Sequence, residues 1–437
     1  MGKRYNDVKN TNDLFVLESN VFRFCHRFSK SFMNVLFISR NSPFESIGGI
    51  ERYIDNLITY YKFEKESESI IYLMLPTDKK SFSKKIGKVT IYFDNSLNLT
   101  KNNLNNKKDI QEKAHLFSRE VIKIIKKNGI NIICAENFHT DLPAAYPLML
   151  SMVTMSQKIP LVLQLHSFAV TDLQTELINQ LKWDRISCVS KSIAGDCYKK
   201  GTDIDYLSTH YLGVNTNLFN QKENKNFNLR RKLNIAIDSK IILTATRIIC
   251  GKNNILKEKG IINLIESFSK LSPRYPRWKL VIAIGKPPER LDIEFKIAYE
   301  LLQGYIKLHN VEANTILKTF TLDEMADVYK GSDLFVLASE NETFGQVFIE
   351  AMSCGLPVIG TKVGGIPEII SDLNNGYLIP VNDASILAQK IEKLINDEVV
   401  RKNFIKSGID TVKEKFTMEQ QFLCFNEMLK KVIIDSI

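Results

Sequence analysis

Short apolar runs that end at a loop, each followed by an apolar stripe at helical spacing, fill the first half of this chain and then begin again in the second. That alternation restricts the fold to stacked α/β units built on parallel sheets. In the first series the expected strands are Asn34–Ser39, Ile70–Met74, Val89–Phe93, Ile130–Cys134, Pro160–Leu165 and Arg185–Ser190. Behind Gly48 and Gly49, the residues Ile50, Tyr53, Ile54, Leu57 and Ile58 mark a helix face, and Ile110, Ala114, Phe117, Val121 and Ile125 mark another on a basic helix. The series restarts at Ile241 with IILTAT, a helix over Gly260–Leu271 and the strand KLVIAIG. A strand near Thr315–Lys318, a helix near Leu322–Tyr329 and the run Asp333–Ala338 follow. Open parallel sheets bind ligands beyond the carboxyl ends of their strands. Two such units facing each other predict one cleft between them.

At 437 residues the chain exceeds one ordinary core, and two domains are expected. Its 44% apolar and 25% charged residues belong to a folded protein. No stretch of roughly eighteen or more apolar residues is present, so no spanning helix is expected. The opening MGKRYNDVKNTND lacks the basic, apolar, small-residue order of a secretory signal. Seven cysteines, odd in number and without paired metal-type spacing, read as reduced thiols and support a cytoplasmic setting. The formal charge of +10 has three readings: an anionic membrane surface, a phosphorylated acceptor, or a lysine-rich composition. No motif for nucleic acid accompanies it. Phe22, Phe24, Phe28 and Phe32, interleaved with Arg23, Arg27 and Lys30, form either an amphipathic anchor or a packed extension.

The densest motif is Ser339–Ile370, SENETFGQVFIEAMSCGLPVIGTKVGGIPEII. It sets Glu342 just before an expected helix over Gly345–Cys354 and Glu350 inside it, roughly 8 Å along the axis at about 1.5 Å per residue. The helix N-terminus between the two carboxylates suits a phosphate or a polarised hydroxyl. An isolated pair of glutamates on a helix is more often solvated or a cap. Here the pair belongs to a long ordered motif.

The Glu-x7-Glu spacing, the Phe344-Gly345 that follows the first glutamate, AMSCGLPVIGT and the VGGIPEII loop together resemble the retaining family 4 glycosyltransferases of the GT-B type. The resemblance runs from about Asn34 to the C-terminus, tighter in the second half. It implies an α/β, GT-B architecture: two Rossmann-like domains across a cleft, with a C-terminal helix crossing back to the N-terminal domain. The boundaries expected are an N-terminal extension at 1–32, an acceptor domain at 33–219, a linker at 220–240, a nucleotide-sugar-binding domain at 241–415 and a crossover helix at 416–437.

The same resemblance implies a site. Gly48 and Gly49 would approach the donor's diphosphate, with Arg247 and Lys259 as its cations and Phe344-Gly345 at the helix mouth. Glu350 would accept from the ribose. Glu342 and the strand-end His166 would act at the transferred sugar. Thr246 stands where the family usually has Gly, and the loop IICGKNNILKEK is longer than usual, so Lys257 and Lys252 remain alternatives to Lys259. His139 is at best acceptor-side, Glu368 reads as structural, and Asp203 and Asp205 do not match the pocket. No metal and no resident cofactor are expected.

The function implied is metal-independent transfer, with retention, of a hexose or N-acetylhexosamine from a nucleoside-diphosphate sugar, expected to be a UDP-sugar. The acceptor would be a glycan, lipid-linked or small-molecule hydroxyl, with peripheral contact to an anionic membrane as one option. Two alternatives stay open: a nucleotide-sugar epimerase of the same architecture, and a non-catalytic sugar-nucleotide-binding subunit of a polysaccharide assembly complex.

Overall fold

The apolar runs become strands because their Val, Ile and Leu residues are covered on both faces, as parallel sheets flanked by helices require. The computed structural model describes residues 33–45, 48–63, 69–222, 227–248, 255–285 and 291–436. The expected extension at 1–32, with its aromatic-basic segment, lies outside the described residues, as does Lys252. The first sheet has eight strands: β1 (Asn34–Ile38), β2 (Ile70–Pro76), β3 (Phe82–Ile86), β4 (Val89–Asp94), β5 (Ile132–Glu136), β6 (Leu161–Leu165), β7 (Arg185–Cys188) and β8 (Leu207–Thr209). Their order is β3-β4-β2-β1-β5-β6-β7-β8, and only the β3–β4 pair is antiparallel.

The second sheet has six strands: β9 (Lys240–Thr246), β10 (Trp278–Gly285), β11 (Thr315–Phe320), β12 (Leu334–Leu337), β13 (Val358–Thr361) and β14 (Tyr377–Ile379), in the order β11-β10-β9-β12-β13-β14. Strand order reverses between β1 and β5 in the first sheet and between β9 and β12 in the second. At such a switch point the loops diverge to opposite faces and leave a crevice at the strand ends. Both crevices open on the same cleft, of about 600 Å³.

The alternation missed β3, β8, β13 and β14, which are short or, in β3, carry exposed Lys84 and Lys85 in place of an apolar run. It also passed over the helix Asp292–Leu308, whose outer face exposes Ile293, Ile297 and Leu301 and so blurs its period. The basic helix Lys107–Asn128 buries the expected stripe of Ala114, Phe117, Val121 and Ile125. Within the polar stretch before β9, Leu229–Leu233 is helical and Arg230 pairs with Asp333 at 2.9 Å. No helix among the described residues is long and apolar enough to cross a membrane.

The chain's last helix, Met418–Asp435, returns to the first domain. Thr417 caps it, and Val214 brackets its start: the Val214 N–H donates to the Phe416 carbonyl at 2.8 Å, and the Met418 N–H donates to the Val214 carbonyl at 2.9 Å. Phe422 then packs among Tyr53, Tyr60 and Tyr61 of the helix Gly49–Phe63, with ring centroids 5.1–5.9 Å apart. Phe425 meets Phe37 of β1 at 6.1 Å. Because Phe422 is fully buried, Phe422→Ala should cost about 3–5 kcal/mol and lower Tm, as large aromatic truncations in cores do. Chemical denaturation of the full chain measures this.

Candidate active site

On the second domain the cleft wall is built around the end of β12. Gly260 takes a left-handed φ of +64°, and a Cβ there would lie 1.8 Å from the Ala338 carbonyl oxygen. Only glycine lets the helix Ile261–Leu271 begin this close to the strand end. That approach carries Lys259 to Glu342, with Nζ 3.2 Å from Oε2. Lys257 is instead 3.9 Å from Glu340 and mostly exposed, so the geometry favours Lys259 as the cleft lysine. Gly364, at φ +51°, meets the backbone of Glu342 so closely that a Cβ would lie 1.6 Å from its carbonyl oxygen. The Gly365 N–H donates to that same oxygen at 3.2 Å. The glycine pair of VGGIPEII thus braces the loop that presents Glu342.

The helix expected over Gly345–Cys354 spans Gln346–Ser353, with Gly345 as its left-handed N-cap and no side chain capping it. The N–H groups of Gln346 and Val347 at its start precede the helix's own acceptors, while the Phe348 N–H donates to the Gly345 carbonyl at 2.9 Å. Gln346 lines the cleft beside them, and its Nε2 is buried without a partner. Phe344 is a packing residue: its ring is buried against Tyr211 and Phe416 at 5.9 Å each, so its backbone is what it can offer a ligand.

The first domain supplies the opposite wall. His166, at the end of β6, holds Glu136 of β5 at 2.8 Å from its Nε2, and both are buried. Its backbone N–H donates to Asn137 Oδ1 at 3.1 Å. Asn137 and Asn41 both donate to the carboxylate of Asp141, at 3.1 and 2.6 Å. Burial raises the pKa of Asp141 and of Glu136 above the usual carboxylate range, and His166 works against the rise at Glu136. His166 Nδ1 and Glu136 Oε1 are buried without hydrogen-bond partners. His139 is held by the Ser167 carbonyl at 3.1 Å from Nε2 and does not line the cleft.

Three charged contacts join the two walls. Arg52 Nε meets Glu350 Oε1 at 3.2 Å, with both side chains 7% exposed. Arg247 Nη1 lies 4.0 Å from Glu51 Oε1. Gly48 sits against that pair, where a Cβ would fall 2.4 Å from Glu51 Oε2 and 2.6 Å from Arg247 Nη1. A Cβ at Gly49 would meet nothing within 4 Å, so its neighbours leave room for a side chain. Glu368, read from sequence as structural, accepts from the Lys191 and Ser192 N–H groups at 2.8 and 2.9 Å and so caps a helix of the other domain.

The structure therefore gathers Gly48, Gly49, His166, Arg247, Lys259, Glu342, Phe344, Gly345 and Glu350 around one cleft. It adds Arg52, Asn137 and Asp141, which the sequence reading passed over, and Glu136 behind them. The GG-x-E pattern pointed one residue short of Arg52, and nothing in sequence pairs residues this distant. Among the described residues no three His, Cys, Asp or Glu side chains gather as a metal site would require.

Residues 229–411 match the family model described as Glycosyl transferases group 1. The second half of this chain is a group 1 glycosyltransferase domain. The N-acetyl-alpha-D-glucosaminyl L-malate synthase of Bacillus anthracis is 27% identical over 70% of this chain and 75% of that protein. The sucrose-phosphate synthase of Thermosynechococcus elongatus superposes with a TM-score of 0.73 at 17% identity, covering 92% of this chain and 100% of that one. Anabaena HepE, solved in complex with UDP and glucose, gives 0.68 at 18% identity over 91% and 100%. The architecture of this chain is thus GT-B, two Rossmann-like domains facing across a cleft.

Burial lowers the pKa of His139 from its ordinary value of 6.5 to about 4. The folded state thus keeps it neutral where the unfolded chain takes a proton. Its contribution to stability is complete above pH 6.5 and is lost as pH falls toward 4, by about 3 kcal/mol at most. A His139→Gln variant should lose less stability than wild type between those two pH values in urea titrations.

Proposed function

We propose that this glycosyltransferase transfers a hexose or N-acetylhexosamine, with retention, from a nucleoside-diphosphate sugar to a hydroxyl acceptor. The observation that carries the reading is the convergence of Lys259, Arg247, Glu342 and an uncapped helix N-terminus with Glu350 one and a half turns deeper. The reading takes the donor as a UDP-sugar, for which the UDP in the Anabaena complex is the support. A glucosaminyl product on a small organic acid in the Bacillus relative supports the range of sugar and acceptor.

In this mechanism the bond from the anomeric carbon to the diphosphate oxygen breaks as the acceptor oxygen bonds to the same face of that carbon. The acceptor's proton passes to the departing phosphate oxygen. Arg247, Lys259 and the helix N–H groups stabilise the charge that gathers on the leaving group. Lys259 is held beside Glu342, so donor binding would draw it toward the diphosphate and leave Glu342 facing the cationic ring. Glu350 would take the ribose hydroxyls. His166, braced by Glu136, would position the sugar, and the Asn41–Asn137–Asp141 network would present polar groups to the acceptor.

A donor panel with mass spectrometry of the products tests the reading, and turnover should persist in a metal chelator. Glu342→Gln should depress kcat with little change in nucleotide affinity, while Glu350→Ala should weaken nucleotide binding. Arg247→Ala and Lys259→Ala should each cost about 2–4 kcal/mol in kcat/KM. A silent Lys259→Ala beside an inactive Lys257→Ala would move the cation.

Peripheral membrane contact enters this reading with a lipid-linked acceptor, since the helix Lys107–Asn128 exposes several lysines. Cosedimentation should then show binding to anionic but not neutral vesicles, weakening steeply with salt. Absence of binding at low salt would favour a soluble acceptor.

A further inference from the structure

Glu350 is deep in the second domain, yet its cation comes from the first. Arg52 Nε is 3.2 Å from Glu350 Oε1, and among the described residues no second cation pairs with this carboxylate. The guanidinium is itself fixed by the ring of Phe219, whose centroid lies 5.0 Å from its central carbon. A carboxylate buried this far is strongly desolvated, and a cation in direct contact is what lets it stay charged.

We propose that Arg52 is the positioning residue for the donor's ribose: it anchors one oxygen of Glu350 from across the domain boundary and leaves the other to accept the ribose hydroxyls. This rests on the nucleotide-sugar reading above and deepens it. Nucleotide affinity in the second domain then depends on the first domain being in place, and by linkage the bound nucleotide favours the closed arrangement. The groups facing Glu350 are Arg52 from the helix Gly49–Phe63 and Tyr329 from the helix Leu322–Lys330, with Cys354 at the end of its own helix. Burial raises the carboxyl's pKa, while Arg52 and then Tyr329 oppose the rise. Removing Arg52 therefore raises it further, so Glu350 takes a proton at a higher pH than in wild type.

The test is calorimetric titration of the full chain with UDP, GDP and ADP, carrying forward the nucleotide that wild type binds most tightly. Arg52→Met keeps the length of the side chain without its charge. It should weaken binding about tenfold or more at pH 7.5, with the deficit widening as pH is lowered, a trend that a merely structural defect would not produce. Arg52→Lys should recover part of the loss. Glu350→Gln should weaken binding comparably, and the double variant should be no weaker than Glu350→Gln alone, because coupled partners are not additive. Circular dichroism establishes folding, and Arg52→Gln replaces Arg52→Met if the latter does not fold. Near-wild-type affinity in the Arg52 variants beside weak Glu350→Gln, or additive losses, overturns the role of Arg52 and leaves the ribose reading standing. Wild-type affinity in Glu350→Gln overturns the ribose reading, as does failure of wild type to bind any of the three nucleotides.

Discussion

Everything in the cleft depends on the return of the last helix to the first domain. Phe422 among Tyr53, Tyr60 and Tyr61 ties the end of the chain to the same helix that begins at Gly49 and carries Glu51 and Arg52. Parallel sheets present their ligand-binding ends in one direction only, so two of them make a shared site only when something sets them face to face. The aromatic packing does this, helped by Tyr211, Phe344 and Phe416 stacked where the chain crosses between domains. Large aromatic surfaces suit the task because they bury much area at little cost in side-chain entropy.

On that frame the cleft holds cations and carboxylates in nearly matched pairs: Arg52 with Glu350, Lys259 with Glu342, Arg247 near Glu51. Pairing lets charges stand in a partly dry space before any ligand arrives. Two of these pairs span the domains, and so does the capping of Lys191 and Ser192 by Glu368. Charge in the cleft and closure of the cleft are therefore one physical arrangement. An anionic ligand that takes over the cations of Arg247 and Lys259 also changes what holds the domains together.

The fold class was legible in sequence because buried parallel strands are mostly apolar runs, and β1, β2, β5, β6, β9 and β10 carry such runs with only isolated polar residues such as Glu136 and Gln164. Other strands escaped: β3 is an exposed edge with lysines, β8 and β14 are three residues each, and β13 is four. Glu342 and Glu350 were readable as a pair because one short segment holds both at helical spacing. Lys259 was readable because Gly260 follows it, and the left-handed turn at Gly260 proved to be what brings that lysine to the carboxylate. Phe344, grouped with the ligand residues by its place in the motif, turned out to give its side chain to packing.

Local sequence determined the alternation of strand and helix, the turn glycines at Gly260 and Gly364, and the carboxylate spacing along one helix, because each is set by neighbours a few residues away. The partnership of Arg52 with Glu350, of Glu136 with His166 and of Glu368 with the Lys191 and Ser192 N–H groups was decided only by tertiary structure. Those partners are 30 to nearly 300 residues apart in the chain. No periodicity or motif spacing links such positions. They meet because sheet order places β5 beside β6 and because the returning helix closes one domain upon the other.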